Sequence, residues 1–154
     1  MKLKNTSVYL LAGWMLAACS GGGFQKTENG VVVEVKQQQP TDVRKVRLEV
    51  MGEKLIHVSA TPEKEFSKEQ SLIVIPQQNK TDFKVEEQGD EVTVKTSELC
   101  AIVSKTTGEV RFTDADGKQI LAEDSDGRTF TPVEVEGTKA VSYTHLRAHE
   151  TLRH

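Results

Sequence analysis

Beginning at Gly30, apolar side chains recur at every second position, and most of them are β-branched. A helix, with its period of 3.6, cannot gather such a series on one face, whereas a strand with one buried face requires it. Val31-Val32-Val33-Glu34-Val35 opens the series, and Val43, Val46, Leu48 and Val50 continue it. Leu55-Ile56-His57-Val58 follows the turn Met51-Gly52-Glu53, and the pair reads as a hairpin. Further on, Phe83 and Val85 alternate with Lys84 and Glu86, and Val92 and Val94 with Thr93 and Lys95. Leu99 to Val103 and Val110-Arg111-Phe112 complete the set. Gln37 to Pro40, Gly89-Asp90 and Thr106-Thr107-Gly108 supply turn chemistry between the runs. The spacing predicts an all-β domain of consecutive antiparallel strands, and no stretch reads as helix.

Two segments depart from this alternation. Leu72-Ile73-Val74-Ile75 is apolar on both faces, which predicts a strand covered on each side. Thr61 to Gln70 contains Pro62 and a row of charges, which predicts a solvated connection.

The chain opens with Lys2 and Lys4, an apolar run from Val8 to Leu16, and Leu16-Ala17-Ala18-Cys19, the pattern of an export signal. The run is too short to cross a bilayer, which takes about 20 residues. Its end resembles a bacterial lipobox. That resemblance implies a signal peptide over residues 1–18, cleavage before Cys19 and acylation of Cys19, so that outer-membrane lipid becomes a partner. Several acyl chains would anchor the protein stably. The alternatives are an uncut signal anchor and an ordinary secretory signal. Ser20, rather than an aspartate, follows Cys19, which in this class of signal implies outer-membrane sorting in a Gram-negative cell, and without an acidic cluster after the tether surface export is not indicated, so the periplasmic side is expected. Ser20-Gly21-Gly22-Gly23 predicts a flexible tether over residues 19–29, with the sandwich domain spanning 30–140.

At the other end, Val141 to Thr151 back-translates in a single frame to a sequence resembling read-through of a transposase sequencing adapter. Residues 141–154 are therefore expected to be a non-native tail, and the native sequence to stop being represented near Ala140. The expectation removes a tempting metal pattern: His145 and His149 stand four apart beside Glu150.

Between leader and tail, residues 19–140 carry 16 basic and 22 acidic side chains, a net charge of −6. The cations alternate with carboxylates instead of clustering, so nucleic acid is not expected as a partner. With Cys19 committed to lipid, Cys100 has no disulfide partner. It lies in an apolar run without an activating group in its own segment, and reads as a buried small hydrophobe. His57 alternates with Ile56 and Val58 and is assigned no role. Asp114-Ala115-Asp116-Gly117 and Asp124-Ser125-Asp126-Gly127 have the alternating carboxylates of calcium loops but lack the remaining oxygen ligands, so both read as tight turns. No catalytic residue, metal ligand or cofactor is expected.

The passage Val92-Thr93-Val94, Leu99-Cys100-Ala101-Ile102-Val103 and Gly108 to Leu121, with its Phe112-Thr113-Asp114-Ala115-Asp116-Gly117 core, resembles the N-terminal β-sandwich of family 31 glycoside hydrolases. The similarity covers about Gly30 to Lys139. It implies a galactose-mutarotase-like antiparallel β-sandwich, incomplete here, preceding a (β/α)8 barrel. With the leader, the chain looks most like exported bacterial α-xylosidases and α-glucosidases acting on plant-type glycans. Such enzymes retain configuration with two carboxylates, both on the barrel, and no residue of this chain matches those motifs. The resemblance implies two partners: the barrel within the same polypeptide, and oligosaccharide through the whole enzyme. Asp114 and Asp116 do not substitute for the barrel carboxylates, since they share one turn with no apolar pocket to separate their pKa values.

A different class remains open, a self-contained lipoprotein sandwich that binds a partner without chemistry. Sugar platforms commonly stack on exposed aromatics, and Tyr9 and Trp14 lie in the leader. Phe24, Phe66, Phe83, Phe112 and Phe130 remain, of which Phe83 and Phe112 alternate as core residues.

Overall fold

The structure, a computed structural model, describes residues 23–68, 80–124 and 127–142. The leader with Tyr9 and Trp14, Cys19, the Leu72 to Ile75 run, Asp126, and the His145, His149 and Glu150 group lie outside the described residues.

Within them every regular element is a strand. One sheet holds β1 (Phe24–Thr27), β2 (Gly30–Glu34), β3 (Lys45–Gly52) and β4 (Leu55–Thr61), paired in chain order. A second holds β5 (Lys84–Gln88), β6 (Glu91–Lys95), β7 (Leu99–Ser104), β8 (Val110–Asp114) and β9 (Gln119–Ala122), also in chain order. A separate hairpin joins β10 (Thr131–Val135) to β11 (Thr138–Ser142). All pairings are antiparallel between sequence neighbours, the topology that short turns between alternating runs dictate.

Register makes the core. Val33 lies opposite Val46, which faces Ala60, while Val31 lies opposite Leu48, which faces Val58. In the second sheet Val94 stands between Val85 and Ala101, and Val103 between Val92 and Val110. Because strand side chains alternate, this register sends each apolar set to one face. The two faces pack into one core in which Val31, Val33, Val46 and Leu48 of one sheet and Val92, Val94, Val103 and Val110 of the other are fully buried. The all-β sandwich read from the sequence is therefore the fold. Phe83 and Phe112 pack against this core as expected, and so does Phe24.

Two boundaries differ from those read in the sequence. Phe24–Thr27, assigned to the tether, forms β1, with Phe24 opposite Val33 and Thr27 opposite Gly30. Its polar composition hid it: an edge strand can be held by backbone pairing and a single apolar anchor, leaving little hydrophobic pattern to read. At the far end β11 runs through Ser142, past the Ala140 boundary, with Val141 opposite Pro132 and Ser142 opposite Thr131. Main-chain pairing of this kind places few demands on side chains.

One buried polar side chain links the sheets. Thr96, 5% exposed, donates from Oγ1 to the carbonyl of Glu53 in the β3–β4 turn at 2.6 Å and accepts from the Leu99 amide at 3.0 Å. Thr96→Val keeps the shape but strands both backbone groups. It is expected to cost about 2 kcal/mol, with Thr96→Ser restoring most of the loss, as urea denaturation midpoints would read.

Candidate functional site

The residues singled out by sequence motifs do not converge. Cys100 is buried on the outer face of β7, opposite Lys95 and Thr113. His57 points outward from β4 with Nδ1 3.1 Å from Glu49 Oε2, and Arg47 Nε lies 3.3 Å from the same oxygen. The Arg47 guanidinium sits 4.6 Å from the centre of the Phe66 ring, so this group is an ion-paired, aromatic-capped patch on the outside of the first sheet. Asp114 Oδ1 accepts the amides of Asp116 at 3.0 Å and Lys118 at 2.8 Å. The Gly127 amide donates to the Asp124 carbonyl at 3.0 Å. Both Asp-Gly segments thus carry turn hydrogen bonds. Among the described residues no group of His, Cys, Asp and Glu is placed to hold a metal ion.

What the motif reading missed is a polar cleft of about 390 Å³ at one end of the sandwich, where the β2–β3 connection, the β7–β8 turn and the segment after β9 meet. Val35 and Val43 form its apolar base. Gly108 packs against them with φ +75°, and a Cβ there would lie 2.5 Å from Val43 Cγ1, so both conformation and space require glycine.

Each wall is fixed by its own hydrogen bonds. In the β2–β3 connection Gln37 Nε2 donates to the carbonyls of Asp42 at 2.9 Å and Pro62 at 3.2 Å. Asp42 Oδ2 accepts the amides of Gln39 at 2.7 Å and Gln38 at 3.2 Å, closing the loop back on itself. The β7–β8 turn hangs on Asp90, whose carboxylate accepts the hydroxyls of Ser104 at 3.0 Å and Thr106 at 2.8 Å. The Lys105 ammonium completes this wall with an ion pair to Glu87 at 2.6 Å.

In the third wall Arg128 is paired with Glu123 and donates to the Gly108 carbonyl at 3.4 Å. The other Glu123 oxygen accepts the Val110 amide at 3.0 Å. Burial pushes the Glu123 carboxyl above the ordinary carboxylate range, against the pull of Arg128 and the Val110 amide. The segment is stapled to the first wall where the Phe130 amide donates to the Thr41 carbonyl at 2.8 Å. The Phe130 ring is buried in the core.

Asp90 gives this end of the molecule a pH dependence of known sign. Desolvation opposes its ionisation, but the hydrogen bonds from Thr106 and Ser104 and the charge of Lys105 outweigh it and hold the carboxyl below its ordinary 3.8. A depressed folded pKa contributes stability that is present above the unfolded value and is lost as pH falls through the folded one. Asp90→Asn is therefore expected to lower the melting temperature slightly at neutral pH, with wild type and variant converging as pH falls through the depressed folded value. A melting series across pH reads this directly, and a constant gap would reject it.

The arrangement is suited to holding rather than to bond breaking. Asp42, Asp90 and Glu123 are each engaged by donors of their own walls, and the Ser104 and Thr106 hydroxyls that meet Asp90 are spent on holding the β7–β8 turn.

Residues 45–152 match the family described as the glycosyl hydrolase 31 N-terminal galactose mutarotase-like domain, a span that runs past Ala140. The chain is similar to the solved GH31 alpha-xylosidase from Xanthomonas citri at 39% identity and a TM-score of 0.68, over 76% of this chain and 12% of that one. It is also similar to a GH31 alpha-xylosidase from a soil metagenome, solved in complex with xylose, at 26% identity and a TM-score of 0.52, over 66% of this chain and 14% of that one. It thus spans a small part of the length of these enzymes. The family match covers most of the chain and agrees with two meander sheets packed on one core: the chain belongs to the glycosyl hydrolase 31 family, as its N-terminal galactose mutarotase-like domain.

Proposed function

We propose that this sandwich is the non-catalytic, carbohydrate-binding-type accessory domain of an exported, lipid-anchored α-glycosidase acting on plant-type glycans. The observation that carries the reading is the 39% identity to an alpha-xylosidase across 76% of the chain but only 12% of the enzyme. The cleft agrees with it, since Asp42 and Glu123 are engaged within the fold. Hydrolysis belongs to a pair of carboxylates on the catalytic barrel, one attacking the anomeric carbon and the other acting as acid and then base. The sandwich packs on that barrel within one polypeptide, and acylated Cys19 holds the whole at the periplasmic side of the outer membrane. The chain alone turns over no substrate.

A second reading, a standalone lipoprotein binding module, draws support from the closed core: among the described residues only Leu55, Ile120 and Val133 are exposed large hydrophobics. Reading the source locus beyond the Ala140 codon separates the two. An open frame continuing for several hundred residues with a barrel pattern, whose product releases xylose or glucose from an aryl α-glycoside with retention, supports the glycosidase reading. A natural stop codon near Ala140 overturns it in favour of the module.

A further inference from the structure

We infer that the cleft bounded by Gln38, Gln39, Thr106, Glu109, Arg128 and Thr129 binds a neutral polyhydroxylated ligand, a sugar ring or short oligosaccharide. Its volume of about 390 Å³ falls in the range of small-molecule sites, about 300–1,000 Å³. Its three walls are held by independent hydrogen-bond sets anchored at Gln37 and Asp42, at Asp90, and at Glu123 and Arg128, so little ordering is left for a ligand to impose.

The chemistry of the lining selects the ligand class. Two cations, Lys36 and Arg128, face four carboxylates, Asp42, Glu109, Glu123 and Asp124. The excess of negative charge repels anionic sugars. The strongest cation, Arg128, is already engaged by Glu123 and the Gly108 carbonyl. A metal ion has no converging ligand set among the described residues. What is offered to a ligand is neutral: the amide side chains of Gln38 and Gln39 and the hydroxyl of Thr129, none of which has an internal hydrogen bond among the described residues. An amide presents a donor and an acceptor side by side, which matches the dual character of a sugar hydroxyl. Among the described residues no aromatic ring lines the cleft, so they offer no stacking and the affinity is expected to be weak, with Kd on the order of 1 mM. Choosing sugar among neutral polyols rests on the glycosidase reading; the cleft chemistry does not.

The test is titration of the isotope-labelled full chain with xylose, xylotriose and maltotriose, with trigalacturonate as the charged comparator, followed by backbone amide shifts. Saturable shifts at Gln38, Gln39, Thr106 and Thr129 with neutral sugars, and at least a fivefold weaker response to the uronate, support the inference. The Gln38→Ala/Gln39→Ala double variant, whose side chains are exposed, is expected to weaken binding at least fivefold without moving the melting temperature. Silent cleft amides, shifts confined to another surface, equal binding of the uronate, or full affinity in the double variant each overturn it. The two failures are distinguishable. Silent amides alongside α-glycoside turnover by the locus-encoded protein reject the cleft alone, whereas neutral-sugar shifts alongside a stop codon near Ala140 reject the glycosidase alone.

Discussion

Gly30→Ala is expected to destabilise the sandwich by about 3 kcal/mol or more, although it adds a single methyl group. Gly30 starts β2 opposite Glu49 of β3. A Cβ built on it would lie 1.9 Å from the Leu48 carbonyl oxygen, 2.9 Å from the Leu48 carbonyl carbon and 3.1 Å from Glu49 Cα. All three obstacles are backbone, so no side chain can swing aside. The strand pair must separate locally, and β2 carries Val31 and Val33, both fully buried. The requirement is steric, a close approach of two backbones. Gly52→Ala is the control: its nearest neighbour would be Leu55 Cβ at 4.0 Å, and it is expected to change stability by no more than about 0.5 kcal/mol. Urea midpoints at unchanged slope measure both. Equal midpoints for the two variants would show that β2 does not pack on β3 as described.

The same contrast explains what could be read from the residues alone. Strands whose inward positions are valines at period two, such as Val31 and Val33 or Val92 and Val94, announce themselves because burial of one face forces the pattern. β1 does not, since Gln25 and Lys26 are exposed and Phe24 alone reaches the core. Nothing beside Gly30 in the sequence announces its constraint, because its obstacle, the Leu48 carbonyl, lies eighteen residues away. The cleft was hidden for a related reason. Asp42, Asp90 and Glu123 come from three separate connections, and none stands in a motif with the others. A local signal existed at Glu123 and Arg128, which flank an Asp-Gly turn with opposite charges, but it reads equally well as a solvated pair. Only the fold shows that these two side chains are 9% and 15% exposed.

That burial makes the two halves of the pair fail differently, the second large effect expected. Removing one partner of a buried pair leaves the other charge uncompensated, so Glu123→Ala and Arg128→Ala are each expected to cost about 3 kcal/mol at neutral pH. Their pH profiles diverge. In Glu123→Ala the stranded group is a guanidinium, which cannot lose its proton, so the variant has no titration of its own at this pair. In Arg128→Ala the stranded group is a carboxyl that burial already pushes upward, and without Arg128 only the Val110 amide still favours its ionised form. A raised folded pKa supplies stability that is present in acid and lost as pH rises through it. The Arg128→Ala deficit therefore shrinks as pH falls below that pKa and reaches its full size above it. Glu123→Leu/Arg128→Leu removes both charges and is expected to recover most of the loss, because apolar replacement of a buried pair is commonly near neutral in stability. Chemical denaturation of the three variants across pH decides the matter: parallel profiles for the two single variants would mean that Glu123 titrates as a solvated carboxyl and that this wall of the cleft is open to water.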